Sequence, residues 1–138
     1  MKKALLGEYY GIALFENSFH DEIGEKKQKL VLVEKKTCDL ILKRFNIYVS
    51  KKEIDINIQK GKDEGLCNIK FEYKALCQKM LLLVKPYVSA YKEAFFDNKD
   101  SKEHFIYYHE KALYDFFEAE INDKDGLIYL NNYLKSIE

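Results

Sequence analysis

Glu16, His20, Glu34, His109 and Glu110 are the side chains whose types and spacing in this sequence could do chemistry. Glu16 lies between Ile12 and Phe19 at helical steps, and His20 follows one turn later. Glu34 stands in a stripe with Leu30, Thr37 and Ile41. His109 occupies the middle of an apolar run formed by Phe105, Ile106, Ala112, Leu113, Phe116 and Phe117, with Glu110 at its margin. Carboxylates in an apolar layer are costly unless a cation or a shared proton compensates them. Hard carboxylate donors combined with imidazole suit iron, manganese or zinc. Tyr87 and Tyr91, one turn apart, add hydroxyls that could line a small-ligand pocket beside His109.

Each of these residues also has a plainer role. Glu16 and Glu34 can reach water at the edge of their stripes or pair with a neighbouring Lys. His109 can serve as a core histidine bonded to a Tyr hydroxyl. The tyrosines can be packing residues with hydroxyls at the rim. No Gly-rich phosphate loop, G-x-S-x-G, H-E-x-x-H or Cys/His dyad is present, which speaks against a conventional hydrolase or nucleotide enzyme.

The elements that must position these groups are helices. Leu5, Tyr9, Ile12, Phe19 and Ile23 predict a helix from about residue 3 to 23, with Gly24 as its stop. Leu30, Val33, Thr37, Cys38, Ile41 and Phe45 predict a second over 26–45. Residues 46–65 are ambiguous: Ile54, Ile56 and Ile58 alternate as in an extended segment, whereas Ser50 with Glu53 has capping-box spacing. A short helix or an extended crossover is expected there, broken or bent by Gly61 and Gly65. A third helix is predicted over 66–96, kinked by Pro86 near Leu82. A fourth follows over 102–121 with Ser101 as N-cap, and a short fifth carries Leu127, Leu130, Leu134 and Ile137. The expected fold is thus all-α, an antiparallel four-helix bundle in one domain over 1–138.

In a hairpin turning near Glu25, residues equidistant from the turn face each other, which pairs Glu16 with Glu34 about 13 Å along the helix axis. The turn near Lys99 or Asp100 sets His109 against Tyr91. This arrangement resembles the ferritin-like superfamily, which includes rubrerythrins and bacterioferritins, over roughly residues 3–121. The shared features are two helical hairpins, a long crossover between helices 2 and 3, and mid-helix carboxylates. That family places one Glu on each of helices 1 and 3 and Glu-x-x-His on each of helices 2 and 4. Glu16 matches the first place. Glu34-Lys35-Lys36-Thr37 keeps the second Glu with Thr where His is expected, and Glu110-Lys111-Ala112-Leu113 keeps a Glu with Leu in the His place. Helix 3 offers Tyr87 and Tyr91 instead of a carboxylate. The resemblance implies an iron, manganese or zinc site on Glu16, His20, Glu34, His109 and Glu110, used for redox or metal handling. Two other functions stay open: a metal-free interaction module, dimeric or partner-binding through its aromatic-rich helices, and a small-ligand-binding bundle.

Composition narrows the field further. The chain has 138 residues, 47% hydrophobic and 33% charged, with zero formal net charge. Lys and Asp/Glu are interspersed throughout and Arg44 is the only arginine, so no basic face for nucleic acid and no bidentate phosphate clamp is expected. The bias towards Lys, Ile, Asn and Tyr resembles an AT-rich bacterial genome. Cys38, Cys67 and Cys77 form no C-x-x-C and no disulfide framework. Met1-Lys2-Lys3-Ala4-Leu5-Leu6 begins like a signal peptide, but Glu8 interrupts it, and Met80–Val84 is too short to span a bilayer. A cytoplasmic location without membrane contact is expected.

Overall fold

Six α-helices and two single 3-10 turns make up all the regular structure of the computed structural model, which describes residues 1–138, and no strand is present. The helices are α1 (Lys2–Ser18), α2 (Glu25–Arg44), α3 (Lys51–Asn68), α4 (Tyr73–Phe95), α5 (His104–Ile121) and α6 (Leu127–Ser136). The chain divides into two compact units, Met1–Lys70 and Phe71–Glu138, of three helices each. No helix is long and apolar enough to cross a membrane.

In the first unit, α1 ends at Ser18, five residues short of the expected end at 23. Asn17 and Ser18 are weak helix formers, and Phe19 and His20 turn to extended backbone. A 3-10 turn over Asp21–Ile23 follows, and the chain enters α2 through Gly24 at φ 56° and ψ −115°, a conformation that glycine tolerates best. On α2, Leu30, Val33, Glu34, Thr37, Cys38 and Ile41 are buried at steps of three and four. Thr37 satisfies its hydroxyl by donating to the Val33 carbonyl at 2.7 Å.

The segment left open by the sequence is α3, not an extended crossover. Ser50 caps it: its Oγ accepts from the Glu53 amide at 3.1 Å while Glu53 Oε2 accepts from the Ser50 amide at 2.9 Å. The capping box outweighs the alternation of Ile54, Ile56 and Ile58, of which Ile56 and Ile58 are exposed. Nor do Gly61 and Gly65 break the helix. They are two of its three buried residues, the third being Asn68, and they seat α3 against α1. A Cβ at Gly61 would collide with the Tyr10 carbonyl oxygen, and one at Gly65 would lie 2.6 Å from the Asn17 Cβ. Asn68 closes the contact by donating to the Ser18 hydroxyl at 3.2 Å, both side chains buried.

In the second unit, α4 begins at Tyr73, later than the expected 66, and continues through Pro86. Asp100, not Ser101, caps the 3-10 turn Ser101–Glu103 that leads into α5, accepting from the Lys102 amide at 3.2 Å. On α5, Phe105, Ile106, His109, Ala112, Leu113, Phe116 and Phe117 are buried. Fully burying such large apolar side chains contributes roughly 1.5–3 kcal/mol each. Glu120 fixes the start of α6, accepting from the Tyr73 hydroxyl at 2.8 Å and from the Gly126 amide at 2.7 Å. Burial first, then Cys77 and Glu120, pushes the Tyr73 hydroxyl well above the ordinary phenol range. On α6 the buried residues are Leu130 and Tyr133; Leu134 of the expected stripe is only half-buried. The architecture is therefore all-α with six helices rather than five, and its packing does not identify a ferritin-type four-helix bundle.

Candidate metal centre

Two carboxylates of the first unit are taken out of water. Glu8 on α1 and Glu34 on α2 are each 2% exposed. Glu8 shares a face with Leu5 and Gly11, three residues to either side, so the helix that buries Leu5 also buries the carboxylate. Glu34 lies in the apolar stripe of α2, and its carboxylate rests against α1 where Gly11 has no side chain: a Cβ there would lie 2.8 Å from Oε2. One turn away, Cys38 of α2 bonds with Tyr9 of α1. Burial and this Cys38 contact push the Tyr9 hydroxyl up, and burial pushes the Cys38 thiol up.

This register corrects the expected pairing of Glu16 with Glu34. Because α1 stops at Ser18, Gly11 rather than Glu16 lies level with Glu34. Glu16 stands on the exposed side, 3.5 Å from Lys35 Nζ. His20 is also exposed, with Nε2 3.0 Å from the Ile69 carbonyl oxygen. Glu8 was missed because Leu5, Tyr9, Ile12, Phe19 and Ile23 imply a stripe rotated by about one residue, or 100°. The signal that could have found it is the spacing of Leu5, Glu8 and Gly11, with Phe15 completing the face.

In the second unit His109 is 1% exposed. It keeps the mid-stripe position on α5 expected from its neighbours. Glu110, next along the helix, is half-buried, and its Oε1 lies 3.7 Å from His109 Nδ1. The imidazole ring packs on Tyr133 of α6 with centroids 5.8 Å apart. Tyr87 and Tyr91 pair edge to face on α4 at 5.6 Å. Tyr87 is exposed. His104, the remaining histidine, has Nε2 3.2 Å from the Lys99 carbonyl oxygen and stacks at 4.4 Å on Phe96.

Of the five side chains singled out by the sequence, His109 and Glu110 come together within the second unit, an imidazole and a carboxylate that could hold a metal ion. Glu34, Glu16 and His20 stand at the places described above. No protein-family model, curated protein or solved structure matches the chain.

Proposed function

We propose that this protein binds a divalent transition-metal cation through His109 and Glu110, and that the bound metal is exchangeable or reactive rather than a structural staple. The observation that carries the reading is the buried imidazole of His109 with the Glu110 carboxylate 3.7 Å from its Nδ1. A charged group taken out of water costs several kcal/mol unless it is paired, and a bound dication would supply the partner. Oxygen donors with one imidazole suit iron, manganese or zinc. Structural zinc sites use four protein ligands, commonly cysteines, whereas fewer protein ligands leave positions for water or substrate. Metal handling, or redox chemistry when the cation is iron or manganese, is the role that fits such a site. The likeness to ferritin-like proteins enters on donor chemistry alone: carboxylate and imidazole donors carried on helices. Its expected helix 2–3 crossover is replaced by α3.

The test is metal binding by the full chain. Purified protein is titrated with Zn(II), Mn(II) and, without oxygen, Fe(II), in a calorimeter and by elemental analysis after desalting. One equivalent is expected. His109→Gln and Glu110→Gln should each weaken binding at least about tenfold, the scale on which even outer partners of ligands act. Glu16→Gln should leave binding unchanged. Failure of all three metals to bind stoichiometrically would sink the proposal.

A further inference from the structure

Tyr108 and Lys111, which flank His109 on α5, are not buried with it. Together with Ala112 they line a cleft of about 300 Å³ between α5 and α6, whose other walls include Asp115, Tyr129 and Tyr133. Tyr133 belongs to both sides of this boundary. It lines the cleft, yet it is only 4% exposed, and its ring packs on the His109 imidazole at 5.8 Å. The tyrosine ring is therefore the wall between the open cleft and the buried imidazole. A buried imidazole that binds a metal needs a path by which the ion arrives, and the second unit offers one here.

The construction of α6 fits such a path. It has ten residues, of which only Leu130 and Tyr133 are buried. Its start is pinned. Gly126 donates its amide to Glu120, and a Cβ on Gly126 would lie 2.7 Å from the Phe116 carbonyl oxygen. Beyond Leu130, the rest of the helix is held by Tyr133 as its one buried side chain. A short element with so little buried surface is drawn from the low-stability end of a fold and opens locally without global unfolding. The mouth of the cleft carries one charge of each sign, Lys111 and Asp115, joined at 2.6 Å.

We infer that the α5–α6 cleft is the route by which a hydrated divalent cation reaches His109, with Tyr133 as the movable inner wall and the Lys111–Asp115 pair setting the charge at the mouth. This rests on the metal reading above. Removing either rim charge leaves the other exposed to the incoming ion, and local charge steers association rates. The test is stopped-flow mixing of metal-free protein with Co(II), followed by its visible absorption, with equilibrium affinity measured alongside. Asp115→Asn should slow association about two- to fivefold at low salt and Lys111→Gln should speed it by a similar factor, both effects shrinking as salt rises. Tyr133→Ala should raise association and dissociation together, about tenfold, leaving affinity unchanged. Tyr133→Phe keeps the ring and should match wild type. If Tyr133→Ala loosens the fold, the two rim variants still decide the matter. Binding with rates indifferent to both rim charges would overturn this route and leave the metal site standing. No Co(II) binding at all would overturn both.

Discussion

A methyl group at position 11 would lie 2.8 Å from the Glu34 carboxylate oxygen, so the missing side chain of Gly11 is what makes room for the carboxyl group of Glu34. Gly11→Ala gains about 0.5–1 kcal/mol of helix propensity. It also displaces a buried carboxylate, and overpacking of this kind costs about 1–3 kcal/mol. The variant is expected to be less stable than wild type in urea denaturation. In a Glu34→Ala background the clash disappears and the same change should become stabilising. A double-mutant cycle therefore reads the contact directly, with an expected coupling above about 1 kcal/mol. Additivity of the two changes would show that the carboxylate moves aside freely.

At the scale of elements, the contact of α1 with α3 is made by close approach of backbones rather than by large side chains. Gly61→Ala should cost about 1–3 kcal/mol, because its new Cβ would collide with the Tyr10 main-chain oxygen, which cannot rotate away. Gly7→Ala on exposed α1 surface meets nothing within 4 Å and should gain about 0.5–1 kcal/mol. Thermal unfolding of the two variants checks both signs. This contact also marks the limit of what could be read from the sequence. Helices α2 and α5 were legible because Leu30, Val33 and Ile41, and Phe105, Ile106, Leu113, Phe116 and Phe117, repeat at helical steps and are all buried. His109 was legible for the same reason. By contrast, α3 buries Gly61, Gly65 and Asn68 and so has no apolar stripe for periodicity to detect. The early end of α1 was hidden because Phe19 is buried and apolar, as a helical residue would be, though its backbone is extended. That one misplaced boundary shifted the hairpin register, so that Gly11 rather than Glu16 lies against Glu34.

At the scale of the whole molecule, a cation that binds only the folded chain adds stability by mass action. At a free concentration a hundredfold above its Kd the gain is about 2.7 kcal/mol. For a chain of this length that raises Tm by several degrees, roughly 2–8 °C per kcal/mol. Differential scanning fluorimetry with Zn(II), and again after chelator, should show the shift appear and vanish. Protons compete with metal for carboxylate and imidazole, so the shift should shrink as pH falls. Glu110→Gln, which replaces the carboxylate by an amide of the same shape, should remove it. A shift of equal size in that variant would place the responsible ion elsewhere.

The closeness of α1 and α3 also sets what any descendant of a common ancestor can change. Exposed Ile56, Ile58 and Leu66 are free to drift, whereas positions 61 and 65 accept nothing bulkier than hydrogen unless the neighbouring chain retreats. Two glycines four apart, downstream of a Ser-x-x-Glu cap, are thus positions that any substitution keeping this helix pair must leave alone.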